Sequence, residues 1–429
     1  MNNIKVTKST LNGSITCPSS KSYTHRVVSI ASLVNDESII KNPLLSRDTL
    51  ATIEGCLMLG TKIDTKSNNQ LNIFGSKQLQ TPDNVIDAKN SGTTIRILTS
   101  MTSLVKNGYT VLTGDDSLRK RPMSPLLDSL NQLGVECFST NSTGNPPILV
   151  KAGGIKGGYT TIDGSISSQF ISSLLISSVY ADSDVTIEVI GQKVSTPYID
   201  STISTMKEFG ITVNHDNYQN YYLTPSEYKS NNFTIPGDFS SASLLISAGV
   251  LSGDTITING LNFDYPQGDL AILDIVKEMH GNINISKQNG SITIYGSDEL
   301  NGIDCNLVNT PDLLPVVSIL ALKATSKVSI SGISHARLKE TDRVQNITRE
   351  LRKLGVLIDE KQDEIIITPV KSLKNATLNS YGDHRLFMAF TIAGLLTRES
   401  IIQGVDSIDV SYPDFINHIK KLGGNLQLL

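Results

Sequence analysis

The groups that could do chemistry concentrate between Ser334 and Arg343. His335, Arg337, Lys339, Glu340, Asp342 and Arg343 place three cations, two acids and a histidine within nine residues. A lysine beside a glutamate is a base next to an acid, and arginines 337 and 343 are donors suited to phosphate or carboxylate. The same run also fits a solvated charged loop with Thr341 as the N-cap of the next helix. What favours chemistry is recurrence. Other stretches with matching residue types fall at the same point of an internal repeat: Pro18-Ser19-Ser20-Lys21-Ser22 with Arg26; Asn90-Ser91-Gly92-Thr93-Thr94; Ser167-Ser168-Gln169; Asp312 after Pro311; and Asp383-His384-Arg385.

Each stretch supports a chemical and a structural reading. Lys21 and Arg26, five apart, can approach one ligand at a helix start, or face solvent from a capped helix. Gly92 pairs a permissive backbone with flanking hydroxyls, which suits a phosphate or carboxylate cradle. Arg121, last of three consecutive cations before Pro122, stands at a helix entry. Ser167, Ser168 and Gln169 offer two hydroxyls and an amide to a polyhydroxylated or phosphorylated ring, and Ser195-Thr196-Pro197-Tyr198 opens the second helix of the same repeat. Asp312 is either an N-terminal cap or a general base. The candidate proton-transfer groups, Asp312, Lys339, Glu340 and His384, all lie in the second half of the chain. None of Cys17, Cys56, Cys137 and Cys305 lies at these places, no Ser/His/Asp set is visible, and no metal-ligand spacing occurs. Neither a metal nor a cofactor is therefore expected.

The elements that position these residues repeat six times. Helix starts recur at Pro18, Asp87, Asp163, Pro236, Thr310 and Tyr381. A second helix in each repeat ends at a glycine, the residue that commonly closes a helix: Gly60, Gly134, Gly210, Gly281, Gly355 and Gly423. Alternating strands follow, as in Ile211-Thr212-Val213, and Lys327 to Ile333 is a strand leading into the charged run, with Val344 to Leu354 as the helix after it. The repeat reads helix, strand, helix, strand, strand. A polar Asn231–Gly237 segment containing Pro-Gly splits the six repeats into two sets of three. Free N–H groups at helix starts attract anions, so such starts could gather phosphate or carboxylate before any side chain contributes.

Length and charge bound the rest. A chain of 429 residues exceeds one core. The net charge of -4 argues against a nucleic-acid partner. No secretory h-region opens the chain, and its longest apolar stretch, Leu313 to Leu322, is too short for a bilayer. The scattered cysteines suit reduced thiols in the cytoplasm. A cytoplasmic monomer with no membrane partner is the expectation.

In order, the Leu338–Arg343 run, Asp383-His384-Arg385, Pro18–Ser22 and Asn90–Thr93 resemble the EPSP synthase family, the 3-phosphoshikimate 1-carboxyvinyltransferases, over essentially the whole chain. The resemblance implies an α/β fold of two similar domains, each of three βαβαββ repeats in an inside-out α/β barrel. The implied domains are 20–235 and 236–429, with the 1–19 strand joining the second. It implies transfer of the enolpyruvyl group of phosphoenolpyruvate to the 5-hydroxyl of shikimate 3-phosphate. By residue matching, shikimate 3-phosphate would be held by Lys21, Ser22, Arg26, Ser167, Ser168, Gln169, Ser195, Tyr198, Asp312 and Lys339. Phosphoenolpyruvate would be held by Lys21, Asn90, Gly92, Arg121, Gln169, Arg343 and Arg385. Asp312 would be the base for the hydroxyl and Glu340 the proton donor to the methylene carbon, with Lys339, Lys21 and His384 assisting. Lys339 would hold Glu340 in position, and a helix dipole would keep Asp312 ionised. The carbon–oxygen bond breaks in this family, so no magnesium is implied.

Two positions depart from the family pattern. His335 stands where many members carry asparagine. Val410-Ser411 precede Tyr412-Pro413 where many carry a lysine. Two rival readings are a transferase acting on UDP-N-acetylglucosamine and a non-catalytic phosphate- or RNA-binding repeat protein. The Gly114–Pro122 loop lacks the cysteine usual in the first, and Asp312, Glu340 and His384 have no place in the second.

Overall fold

The structure is a computed structural model that describes residues 2–65 and 69–429. The chain divides into two compact units, one of residues 19–236 and one joining the segment before Ser19 to Gly237–Leu429. The 19–236 unit carries helices α1 (Lys21–Ser32), α2 (Arg47–Met58), α3 (Gly92–Thr102), α4 (Ser124–Gln132), α5 (Ser168–Ser178) and α6 (Pro197–Glu208). The other unit carries α7 (Phe239–Ser252), α8 (Ile272–Glu278), α9 (Leu314–Leu320), α10 (Arg343–Lys353), α11 (His384–Gly394) and α12 (Phe415–Lys421).

Among the described residues the strands form six four-stranded sheets, three in each unit. All six share one pattern, which the second repeat illustrates. Ile86–Asp87 runs parallel to Tyr109–Thr113, which pairs antiparallel with Ile148–Lys151, which pairs antiparallel with Cys137–Ser139. A parallel pair needs a crossover, and α3 supplies it; the antiparallel pairs need only turns. The order is thus βαβαββ. In the first repeat the leading strand comes from the far end of the same unit, where Asn232–Thr234 pairs parallel with Glu37–Lys41. In the other unit Leu11–Thr16 pairs parallel with Gly253–Asn259. There Asn3–Thr7 also lies between Glu399–Gln403 and Asn425–Leu428, antiparallel to both.

The strands alternate as a one-sided sheet should: Glu37–Lys41 buries Ser38 and Ile40 and turns its other residues outward. The first helix of each repeat is instead buried nearly all round. Every residue of α11 is buried, and α7 leaves only Ser240 and Ser252 less than buried. Such helices are expected to be apolar on all faces, yet these are rich in Ser and Thr. Many of their hydroxyls are satisfied locally, though those of Ser29, Ser177 and Ser178 lack a partner. Ser32 donates to the Val28 carbonyl at 2.7 Å, Thr99 to Ile95 at 2.6 Å and Thr391 to Phe387 at 2.8 Å. Small, internally satisfied side chains let helices pack closely, and Ser100 and Ser173 join α3 to α5 at 2.6 Å.

Five of the six helix-ending glycines adopt the left-handed backbone that favours glycine, with φ from 83° at Gly134 to 101° at Gly423. The fourth repeat differs from the sequence expectation. There His280 takes the left-handed place (φ 61°), and Gly281 follows it. Gly281 is needed for space rather than φ, because a Cβ would stand 2.6 Å from Val276 Cγ1.

Candidate active site

In the 19–236 unit the first-repeat helices bring their starts to a shared hydroxyl network. Ser20 caps α1 by accepting from the Tyr23 N–H. Lys21, next in line, pairs with Asp48 of α2 at 2.9 Å. The Asp48 carbonyl accepts from Thr94 of α3, Thr94 meets Thr52 at 2.7 Å, and Thr52 meets His25 Nδ1 at 2.7 Å. Burial, reinforced by the charges of Lys21 and Arg26, holds His25 well below the usual histidine range, so it is neutral at pH 7.

Arg26 is 2% exposed and fully engaged. It donates to Thr202 Oγ1 (2.7 Å), the Ser22 carbonyl (2.9 Å) and the Tyr198 carbonyl (2.8 Å). It therefore fixes Ser22 and Tyr198 relative to each other. Burial lowers its pKa to about 10, which still leaves it charged. Ser195, before α6, is 5% exposed and holds a left-handed backbone at φ 57°, a strained state for serine.

A second group forms around Arg96 of α3. Its Nη1 donates to Gln169 Oε1 at 2.7 Å and to Ser167 Oγ at 3.2 Å, and its guanidinium lies 4.8 Å from the Phe170 ring centroid. Ser167 caps α5, Ser168 is 3% exposed, and Gln169 Nε2 donates to Thr93 at 3.0 Å. Arg121 donates to Asn90 Oδ1 at 3.3 Å, and Asn90 in turn donates to Asp115. A Cβ on Gly92 would stand 2.8 Å from Arg121 Nη1 and 3.7 Å from Arg96 Nη1. A side chain at position 92 would thus have to displace the Arg121 guanidinium.

The other unit builds its cluster on Arg343, the first residue of α10 and 1% exposed at its side chain. Nε donates to Asp383 Oδ2 at 2.7 Å, Nη1 to Asp312 Oδ1 at 2.7 Å, and Nη2 to Glu340 Oε2. Arg385 donates to Asp312 Oδ2 at 2.8 Å, and Lys339 Nζ stands 3.9 Å from Asp312 Oδ1. Asp383 caps α11 through the Arg385 and Leu386 N–H groups, and His384 is buried in the first turn of that helix. Burial would raise the Asp312 pKa, but Arg385, Lys339 and Arg343 outweigh it, and Asp312 is held well below the usual carboxylate range. Burial opposes the charge of Arg343 too, yet its three carboxylates hold its pKa above the usual value. Asp269, 2% exposed, accepts from Ser240 and is pushed up to about 6 by burial and by the charge of Asp312.

The structure brings Lys21, Ser22, Arg26 and Tyr198 together through Arg26 and its neighbours, and Asn90, Gly92, Arg121, Ser167 and Gln169 together around two arginines. Asp312, Lys339, Glu340, Arg343 and Arg385 join through one guanidinium. It corrects two local expectations. Asp342, not Thr341, caps α10, by accepting from the Gln345 N–H; Thr341 instead accepts from Asn346. Arg337 is a structural brace, donating to Asp342, Glu360 and the carbonyls of Gln362 and Lys361. Glu340 pairs with Arg343, and Lys339 Nζ also lies near Asp312. The charges of Arg385, Lys339 and Arg343 all favour the Asp312 carboxylate, that of Arg385 most. At the two departures, Val410 and Ser411 are 3% and 7% exposed, and His335 is 6% exposed with Nε2 lacking a hydrogen-bond partner. Sequence reasoning left Asp48, Arg96 and Asp269 out of the site, and named Asp383 in its run without giving it a role. Arg96 did carry a signal, as a cation flanked by Ile95, Ile97 and Leu98 on a buried helix.

Solved structures match this architecture along its full length. A structure of EPSP synthase from Acinetobacter baumannii aligns with a TM-score of 0.84 at 24% identity, covering 100% of both chains. The enolpyruvyl transferase NikO from Streptomyces tendae aligns at 0.79 and 14% identity, covering 100% of this chain and 99% of that one. The fold is that of the enolpyruvyl transferases.

Sequence comparison narrows this. Residues 6–419 match the family described as EPSP synthase (3-phosphoshikimate 1-carboxyvinyltransferase). The 3-phosphoshikimate 1-carboxyvinyltransferase of Methanocaldococcus jannaschii is 46% identical over 421 residues, 97% of each chain, and that of Nitrosopumilus maritimus is 43% identical over 424 residues, 99% of each. The chain belongs to the EPSP synthase family.

Proposed function

We infer that this enzyme transfers the enolpyruvyl group of phosphoenolpyruvate to the 5-hydroxyl of shikimate 3-phosphate. The products are phosphate and 5-enolpyruvylshikimate 3-phosphate, on the shikimate route to chorismate and aromatic amino acids. The observation that carries the chemistry is the Arg343 cluster, where one buried guanidinium holds Asp312, Glu340 and Asp383 while Arg385 and Lys339 face Asp312.

The reaction needs an acid facing the methylene carbon and a base facing the hydroxyl. Glu340 is the proposed acid: its proton goes to the methylene, and the neighbouring enol carbon becomes electrophilic. Asp312 is the proposed base: it takes the hydroxyl proton as the oxygen attacks that carbon. Phosphate then leaves with its bridging oxygen while a methyl proton is lost, and Glu340 is the group placed to take it. His384, on the cluster's helix, and Lys21 complete the proposed catalytic set.

An Asp312 held so far below neutrality is a weak base, and this sets a condition on the mechanism. Arg343 and Arg385 are also the proposed phosphoenolpyruvate ligands. An anion that shares their charge lessens the stabilisation of the Asp312 carboxylate and raises its proton affinity. The base is then strengthened by arrival of the second substrate. Lys21, Asn90, Gly92, Arg121 and Gln169 complete the proposed phosphoenolpyruvate set. Lys21, Ser22, Arg26, Ser167, Ser168, Gln169, Ser195, Tyr198, Asp312 and Lys339 form the proposed shikimate 3-phosphate set. The buried hydroxyls of Ser168 and Ser195 and the tethered Ser22 and Tyr198 support the second assignment.

Phosphate release from phosphoenolpyruvate is the test, run with shikimate 3-phosphate and separately with UDP-N-acetylglucosamine. Release with the first acceptor alone is expected; release with neither, or only with the second, overturns the reading. No helix among the described residues is long and apolar enough to cross a membrane. A cytoplasmic monomer remains part of the proposal, checked by light scattering on the purified chain and by cell fractionation.

A further inference from the structure

Helix α10 grips the segment before α11 at two levels. At its first residue, Arg343 Nε meets Asp383 at 2.7 Å. Two turns later, on the same face, Glu350 meets the segment again. Glu350 is 0% exposed, and both its oxygens are used. Oε1 accepts from the Tyr381 hydroxyl at 2.7 Å; Oε2 accepts from the Asn379 N–H at 2.9 Å and from Lys353 Nζ at 2.6 Å.

The segment so held is not one that would form unaided. Tyr381 and Gly382 are consecutive left-handed residues, at φ 53° and 76°, and a bulky side chain is disfavoured there. The Tyr381 N–H turns back to Asn379 Oδ1 at 2.7 Å, and the Arg349 guanidinium lies 5.8 Å from the Tyr381 ring centroid. This turn delivers Asp383, which caps α11 and aims Arg343, and it fixes where α11 begins and so where Arg385 emerges. A carboxylate buried at 0% exposure is costly unless its partners are well placed. Here the partners are the turn itself.

We infer that Glu350, acting through Tyr381 and Asn379, is a positioning residue for the two arginines, Arg343 and Arg385, that receive phosphoenolpyruvate. The inference rests on the proposed function for the identity of the anion, while the geometry of the brace stands apart from it. Glu350 touches no proposed substrate group. Its loss moves the arginines and the Asp383 carboxylate together, and displacements well under a bond length suffice to weaken a bidentate anion site.

Tyr381→Phe is the primary test because it deletes one hydroxyl and keeps the ring. Affinity for phosphoenolpyruvate, read by direct titration with and without shikimate 3-phosphate, is expected to fall about tenfold, the scale of one hydrogen bond transmitted to the site. Affinity for shikimate 3-phosphate alone is expected to stay within about twofold, because its proposed ligands lie mainly on the 19–236 unit. Glu350→Gln should show the same selective loss, larger, and Glu350→Asp should recover part of it by keeping the charge. Equal weakening of both ligands would mark a merely structural strut and overturn the inference, as would unchanged phosphoenolpyruvate affinity in Tyr381→Phe. If Glu350→Gln does not fold, Tyr381→Phe still decides. Failure of the parent enzyme to release phosphate from phosphoenolpyruvate and shikimate 3-phosphate counts against the reaction, and is a separate result from the binding ratio.

Discussion

The two units use their charges in opposite ways. In the 19–236 unit the cations described above lean mostly on neutral oxygens: Arg26 on two carbonyls and Thr202, Arg96 on Ser167 and Gln169, and Arg121 on Asn90, with Lys21 paired to Asp48. In the other unit Lys339, Arg343 and Arg385 face Asp312, Glu340 and Asp383, cation for carboxylate. Guanidinium groups held by neutral dipoles keep their net positive charge. Charges that neutralise one another bring little net attraction, but they set proton affinities strongly. On the proposed function, the groups of the 19–236 unit would serve binding, and those of the other unit would serve proton transfer as well.

That contrast can be broken by substitution, and Asp312→Asn should show the largest effect. Turnover should fall by on the order of 10²–10⁴-fold, the usual worth of a positioned base. Phosphoenolpyruvate affinity should hold or rise, since Arg343 and Arg385 lose a competitor. Steady-state kinetics with direct titration separates the two; a loss confined to binding would erase the division.

Acid stability comes next. Burial, helped by Lys339, pushes the His335 pKa down from 6.5 to about 4, against the smaller opposing pulls of Asp312 and Asp363. The unfolded chain binds this proton more readily than the folded one. The contribution is therefore complete above about pH 6.5 and is lost as pH falls toward about 4. Its full size is roughly 3 kcal/mol, at about 1.36 kcal/mol per pKa unit. Denaturant titrations across that window should show His335→Asn with a shallower acid loss than the parent. His25, also held neutral, leaves the 19–236 unit with an acid loss of its own.

Lys21→Ala should weaken both substrates by about 2 kcal/mol, roughly 30-fold, through loss of a charge-assisted contact. Calorimetric titration with each ligand checks this, and an effect on one ligand alone removes the shared role. Gly92→Ala is the mildest. The new methyl displaces the Arg121 guanidinium, the far end of a flexible side chain, so phosphoenolpyruvate KM should rise only several-fold, about 1 kcal/mol. Melting temperature should barely move.

The repeat was legible because it is local. Helix, glycine and alternating strand recur within spans short enough to read directly, and the βαβαββ order follows from them. The site was legible where its residues run together, as in Leu338–Arg343 and Asp383–Arg385. It was opaque where partners lie far apart in sequence. Asp48 meets Lys21 across 27 residues and Arg96 meets Gln169 across 73, and no charged run marks either. The approach of Lys339 to Asp312 likewise joins residues far apart in sequence. The Gly281 miss is different in kind: a one-residue shift that places His280 in a backbone state histidine seldom adopts.

The strand Asn3–Thr7 has a consequence for synthesis. Its partners, Glu399–Gln403 and Asn425–Leu428, lie roughly 390 to 425 residues further along the chain. On the ribosome the 19–236 unit holds all its described strands once residue 234 has emerged, whereas Asn3–Thr7 must wait for partners at 399–403 and 425–428. At about 5–20 residues per second that wait is roughly 10 to 40 s after the 19–236 unit is complete. Throughout it, Ile4 and Val6, both 0% exposed in the finished fold, have no sheet to enter. An unpaired apolar strand is a template for association with other chains. The nascent chain thus offers a chaperone a defined target at Asn3–Thr7 until that sheet closes.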